Sequence, residues 1–361
     1  MNHIFKIRDI PHGTAKLFFD ESGNVDIQRY ESSKYPIFKK ILDQQLSFFW
    51  RPEEINLAKD ASDFKTLTEA ERHIFTSNLK RQIMLDSIQG RAPSLCYGRI
   101  VSDPVLESLI HTWTFFENIH SMSYTHIIRN VYPDPSKIFD EMKEIQEIVK
   151  CGDDISSYYD ELSDSLNSDN LNHKKIATYL SLVATNALEQ IRFQVSFACT
   201  FSFGQRNLMN GSSRIVKLIR QDESLHCGIT QNLLKLLPKD DAYFEELSSS
   251  QVIKDQIKKI YYDVYQQEME WIDYLFLKGP IFGLTKEELQ NYLSWLTAKR
   301  MQGMGVDVTF DYPKKDPLPW MNRWIDSEND QPPPQEEEIV SYQTGTVDFN
   351  INDDEFKDFE L

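Results

Sequence analysis

The chain has 361 residues, of which 40% are apolar, and a formal charge of -17. It is long enough to bury a sizeable core, and its acidic balance argues against a nucleic-acid backbone as partner, which requires a basic footprint. No run approaches the roughly eighteen apolar residues of a membrane span, the start "MNHIFKIRDIPHG" lacks the apolar middle of a secretion signal, and Cys96, Cys151, Cys199 and Cys227 form no C-x-x-C pair; a cytoplasmic protein with reduced cysteines is expected.

Helical periodicity dominates and strand signals are few, which predicts an all-α fold. A first helical stretch covers 36–50. In "TEAERHIF", Thr68 and Glu71 make a capping box ahead of an apolar-periodic run to about Gly90. In "SDPVLESL", Asp103 reads as an N-cap and Pro104 as the first helical residue of a run to about Val131. Further helices are expected over 136–149, 174–203, 212–236, 251–277 and 285–303, the last opened by a second box from Thr285 to Glu288. Loops are marked by "YPDPS", "CGDD", "NSDN" and "LPKDD". After "YPKKDPLPW" the periodicity is lost, and "SENDQPPPQEEE" reads as a linker. From Glu336 to Leu361 nine acidic side chains stand against one lysine, the composition of a solvated tail. Two units are therefore expected, a helical body over 1–325 and a tail over 326–361.

In "FFENIHSMSY", Glu117, His120 and Tyr124 fall on one helical stripe and can reach a common object. A lone E-x-x-H is weak, since a solvated helix face explains it, but the chain holds a second in "DESLH", with Glu223 and His226. Asp86 in "RQIMLDSIQG" and Glu189 in "ATNALEQIRF" sit among apolar and small neighbours, where an ionised carboxylate requires a partner or a metal. Asp86 precedes Glu117 by 31 residues and Glu189 precedes Glu223 by 34. Each interval fits one antiparallel helix pair whose ligands return to the same height. Two such pairs make a four-helix bundle with a carboxylate from each of two helices and E-x-x-H from each of the others, the ferritin-like di-metal pattern. Four carboxylates and two imidazoles suit iron or manganese rather than zinc, with Glu117 or Glu223 bridging the ions.

The segments "QLSFFWRPEE", "LDSIQGRAPS", "ENIHSMSYTHIIRN", "NALEQIRFQVSFAC", "DESLH" and "PQEEEIVSY", with an acidic end finishing in an apolar residue, resemble the small, radical-generating subunit of class I ribonucleotide reductase over nearly the whole chain. The resemblance implies two iron ions per chain, with a manganese and iron pair as the open alternative, and dioxygen as the oxidant. It implies a radical on Tyr124, relayed to a large subunit that reduces ribonucleotides to deoxyribonucleotides. Phe193 and Phe197, four and eight residues beyond Glu189, and Ile219, one turn before Glu223, are candidates for the dry pocket such a radical needs. By resemblance Trp50, Asp222 and His120 form the exit path, Asp222 orients the imidazole, and Tyr342 is the last relay. Homodimerisation is likewise implied, as is docking on the large subunit through the end of the chain, where one induced turn would gather Phe356, Phe359 and Leu361. Met122, Gln221 and Gln194 depart from the residues frequent in relatives, and no ligand position is touched. The rival reading is another ferritin-like di-iron oxidase, a desaturase or hydroxylase, which gives no reason for Tyr124 or the tail.

Overall fold

A computed structural model describes residue 11, residues 13–20 and residues 27–325, and within them apolar stripes of helical period have produced helices almost throughout. In chain order these are α1 (Pro36–Ser47), α2 (Ala58–Thr66), α3 (Glu69–Gln89), α4 (Ala92–Cys96), α5 (Pro104–Val131), α6 (Pro135–Asp140), α7 (Gln146–Ser165), α8 (Leu171–Ala187), α9 (Gln194–Gly204), α10 (Asn210–Asp240), α11 (Ala242–Ser249), α12 (Gln251–Leu275), α13 (Lys286–Gly303) and α14 (Asn322–Ile325). Extended pairing among the described residues is confined to two isolated bridges, Phe18 with Val101 and Ile281 with Leu284. The fold is all-α. No described helix is long and apolar enough to cross a membrane, and the segment 326–361 lies outside the described residues.

Four elements make the central bundle. α3 packs on α5 and α8 on α10; α10 then meets α5, and α9, which continues α8, meets α3. α1 covers α5 and α10, while α7 and α12 cover α8, and α13 packs on α12 and also meets α9 and the turn between α8 and α9. The helix starts follow local chemistry. Thr68 accepts from the Glu71 amide and the Glu71 side chain returns to the Thr68 amide, and the Thr285 and Glu288 pair repeats this at α13. Asp103 accepts from the amides of Val105 and Leu106, with Pro104 at the first turn of α5.

Four expectations are corrected. "CGDD" is not a loop: α7 runs through it, because a stripe of Ile148, Cys151, Ile155, Tyr159 and Leu162 faces the core. Gly152 serves close packing there, since a Cβ would stand 3.3 Å from the Met84 side chain of α3. The expected helix over 136–149 splits into α6, a 3-10 turn Glu141–Glu144 and the start of α7, separated by the extended backbone of Ile145. "LPKDD" does not end α10; Pro238 sits inside its last turn and costs the helix the one bond its missing amide would make to the Leu234 carbonyl, and Asp241 then caps α11. The stretch 174–203 is not one regular helix, because a π turn, Leu188–Arg192, lies between α8 and α9. α2 and α11 are present where no helix is expected from the sequence.

α2 has a positional role. Asp60, fully buried, accepts from the amides of Gly211 and Ser212 at 3.0 and 2.6 Å and from the Ser212 hydroxyl at 2.7 Å, so α10 is capped by a carboxylate from another helix. Gly211 permits this approach, since a Cβ would lie 2.6 Å from Leu57 and 2.7 Å from the Asn56 carbonyl oxygen. α10, the helix so capped, carries Asp222, Glu223 and His226.

Candidate metal centre

Asp86 comes from α3, Glu117 and His120 from α5, Glu189 from the π turn, and Glu223 and His226 from α10; all six are at most 1% exposed. They gather in two overlapping groups. In one, Asp86, Glu117, His120 and Glu223 each offer a ligand atom within 4.8 Å of the others; in the second, Glu117, Glu189, Glu223 and His226 do so. Glu117 and Glu223 span both. Glu117 presents Oε2 to His120 Nδ1 at 3.4 Å and Oε1 to His226 Nδ1 at 2.9 Å. Glu223 presents Oε1 to His120 Nδ1 at 3.1 Å and Oε2 to His226 Nδ1 at 3.0 Å. Asp86 Oδ2 lies 3.9 Å from His120 Nδ1.

Both imidazoles turn Nδ1 inward because Nε2 is held outside. His120 Nε2 lies 3.1 Å from Asp222 Oδ2, which also accepts from Trp50 Nε1 at 2.9 Å, and the Trp50 and His120 rings stack at 6.3 Å. His226 Nε2 meets the Gln45 amide at 2.7 Å. It is the amide nitrogen of Gln45 that faces the ring, with the carbonyl oxygen unpaired; turning the amide over would let that oxygen accept an Nε2 proton and free Nδ1 to bind a cation once the carboxylates no longer hold its proton. Trp113 Nε1 donates to Glu117 Oε1 at 2.8 Å, and Gln89 Nε2 donates to Glu189 Oε1 at 2.5 Å while accepting from the Tyr159 hydroxyl at 2.7 Å. Such outer partners orient ligands and tune their basicity. Gln45, Gln89, Trp113 and Tyr159 were not anticipated from the sequence. Trp113 carried a usable signal, four residues before Glu117 on its face, and Gln89 stands three after Asp86; Gln45 had none.

Burial raises the Asp86 carboxyl well above the carboxylate range, with Glu117 and Glu223 adding to it. It does the same for Glu189, again with Glu223 and Glu117 adding. Burial opposes charge on Glu223 too, but His120 and His226 outweigh it and hold this carboxyl low. For the imidazoles burial disfavours the cation, yet the facing carboxylates prevail: His120 stands well above its usual value and His226 is pushed up to about 9. Protons and cations thus compete for the same lone pairs.

Tyr124 is fully buried, and burial followed by the neighbouring Asp86 carboxylate raises its hydroxyl well above 10. Phe193, Phe197 and Ile219 are fully buried, with the two rings stacked at 5.6 Å. The π turn breaks the regular α phase expected between Glu189 and these phenylalanines. Of the departures, Met122 is half exposed on α5, whereas Gln194 is buried at the start of α9. Tyr342, Phe356, Phe359 and Leu361 lie outside the described residues.

The pattern of one protein family, described as "Ribonucleotide reductase, small chain", matches residues 28–317. The chain belongs to this family. It is 43% identical over 364 residues to "Ribonucleoside-diphosphate reductase 1 subunit beta" of Salmonella typhimurium, with 96% of each chain covered. Its fold is shared with the ribonucleotide reductase R2 subunit from Clostridium botulinum, at a TM-score of 0.77, 24% identity and coverage of 90% of this chain and 98% of that one. It is also shared with Streptococcus sanguinis dimanganese(II)-NrdF, at a TM-score of 0.67, 20% identity and coverage of 82% and 98%. By family the chain is an oxidoreductase, the radical-generating small subunit of a ribonucleoside-diphosphate reductase with a ferritin-like fold. Membership implies a large-subunit partner and a dimer, and the desaturase or hydroxylase reading is not favoured.

The family's centre is a di-metal carboxylate site, and the buried cluster fits one. Asp86 Oδ1 and Oδ2, Glu117 Oε2, His120 Nδ1, Glu189 Oε2 and Glu223 Oε1 are buried and have no hydrogen-bond partner. Buried polar atoms without partners are costly, and two divalent ions would satisfy these donors with the oxygen-rich, nitrogen-poor set that iron and manganese prefer.

Proposed function

We propose that Asp86, Glu117, His120, Glu189, Glu223 and His226 hold two iron ions, that dioxygen is the oxidant, and that Tyr124 is the residue oxidised. The observation that carries this reading is the paired geometry: Glu117 and Glu223 each reach both histidines, Asp86 joins one group and Glu189 the other, and Tyr124 lies beside Asp86. Iron is preferred to manganese alone because an oxidisable tyrosine adjoins the site. The bound metals would supply one-electron oxidising power drawn from dioxygen. The chain's own residues do the rest. Burial keeps the Tyr124 phenol protonated until it is oxidised, and Asp86 is the carboxylate beside it that can take the phenolic proton. Phe193, Phe197 and Ile219 supply apolar surroundings that exclude water from the radical.

Asp222 Oδ2 joins Trp50 Nε1 to His120 Nε2, and this line of hydrogen bonds is the proposed exit for the radical. The tail over 326–361 is a separate docking unit in this reading, with Tyr342 the last relay and Phe356, Phe359 and Leu361 the anchor on the large subunit. Leu46, Phe49, Phe115 and Met122 are exposed apolar side chains of α1, its C-terminal flank and α5, and form the proposed face for a second copy. Four free, buried cysteines suit a reducing cytoplasm.

The test adds ferrous ions under anaerobic conditions, then air, and reads metal content, visible absorption and electron paramagnetic resonance; a parallel arm uses manganous ions. Two irons and a tyrosyl signal are expected, with Tyr124→Phe retaining the irons and losing the signal. A normal tyrosyl signal in that variant would move the radical elsewhere. Deleting residues 356–361 should preserve the signal and abolish reduction with the large subunit; normal reduction by the truncated chain would remove the docking role.

A further inference from the structure

Glu189 does not sit on a regular helix. The π turn that bears it ends at Arg192, whose side chain is 1% exposed and points into a buried ionic cluster. The guanidinium pairs with Asp154 of α7, donates to Gln267 Oε1 of α12 at 2.7 Å, and lies 3.1 Å from Cys151 Sγ. Glu268 Oε1 is 3.9 Å from Arg192 and is paired with Arg81 of α3, which in turn lies over the Trp271 ring at 4.7 Å. At the other end of the same turn, Gln89 of α3 donates to Glu189. The turn is therefore gripped through two side chains three residues apart, one bonded toward the carboxylate cluster and one toward α7 and α12.

This grip has a geometric consequence. A π turn adds one residue to a helical turn, so reverting it to α geometry would rotate one flank against the other by about 100°. Glu189 and Arg192 could not then both keep their partners. Arg192 would leave Asp154 and Gln267 and strand a buried charge, which costs far more than the strained turn. From this we infer that Arg192 is a positioning residue: its fork to Asp154 and Gln267 holds the π turn, and through it sets the Glu189 carboxylate against Glu223, Glu117 and His226. The inference rests on the reading of Glu189 as a metal ligand. Lysine at this position would keep the charge but lose the planar fork.

The experiment measures anaerobic binding of manganous and ferrous ions, and amide hydrogen exchange over 188–193, in the full chain carrying Arg192→Lys, Arg81→Lys or Glu189→Gln. Arg81→Lys perturbs the same buried cluster through Glu268 while leaving the Asp154 and Gln267 contacts of Arg192 in place, so it reports what loss of packing alone does. The expected result is at least a roughly tenfold weaker second metal ion and faster exchange over 188–193 in Arg192→Lys, with near-normal metal binding in Arg81→Lys. Equal metal binding by the two arginine variants would reduce Arg192 to a packing role and overturn the inference. Should Arg192→Lys not fold, Asp154→Asn, at a quarter-exposed position, carries the same test. Glu189→Gln separates the two claims: if it binds both ions normally, Glu189 is not a ligand; if it loses one while Arg192→Lys loses none, only the positioning role fails.

Discussion

At His226 the orientation of one side chain depends on a single neutral amide. Gln45 meets Nε2, so Nδ1 is the ring nitrogen that faces Glu117 and Glu223, donating to them when protonated and free to bind a cation once it gives up that proton. Replacing the amide by an apolar group of similar size removes the Nε2 contact while leaving the six ligands in place. Gln45→Leu is expected to lower affinity at the His226 side by roughly 10–100-fold, with little change at the Asp86 side. Stepwise titration with manganous ions measures this as a loss at one site and not at the other; two affinities unchanged from the parent would show that the tautomer is fixed without Gln45. Asp222 differs from Gln45 in kind, because one of its oxygens serves both His120 and Trp50.

Among the elements, α10 depends on a cap that comes from a different helix. Its first turn offers free amides, and Asp60 of α2 meets two of them plus the Ser212 hydroxyl. Asp60→Ala should cost about 2–4 kcal/mol of stability, since hydrogen bonds to a buried charge are worth more than neutral ones. Gly211→Ala should cost roughly 1–3 kcal/mol, because its Cβ would press on Leu57 and on the Asn56 carbonyl oxygen. Denaturant unfolding reads both losses. If Asp60→Ala unfolded like the parent, the amides of α10 would have found another partner and α2 would have no capping role.

For the whole molecule, Asp241 links elements distant in sequence. Its carboxylate takes Lys16 at 2.6 Å and Lys175 of α8 at 2.8 Å, and it accepts from the Tyr243 amide at the start of α11. Burial opposes this charge, but Lys16 and Lys175 outweigh burial and hold the carboxyl at about 2, below the usual 3.8. A carboxyl depressed in the folded state stabilises the fold above its unfolded value, and that stabilisation fades as pH falls through the folded one. The melting temperature of Asp241→Asn should therefore lie below the parent's above about pH 5, with the gap closing as pH approaches 2. A gap independent of pH would mean that the carboxylate's charge contributes nothing and only its shape matters.

The sequence by itself determined the all-α class, the capped starts of α3, α5 and α13, and the recurring order of carboxylate helix and E-x-x-H helix. These are local or periodic signals: a cap lies within four residues of its partner, and ligands on one helical face repeat every three or four. Tertiary structure alone decided what depends on contacts between remote segments. Gly152 in "CGDD" looks like a turn residue until α3 lies against it, and α2 is recognisable as a cap only once α10 is beside it. Gln45 and His226 are 181 residues apart, Gln89 and Glu189 100, so no spacing rule joins them. The π turn at Glu189 is of this kind too, because the Asp154 and Gln267 side chains that hold Arg192 come from helices on either side of it in the chain.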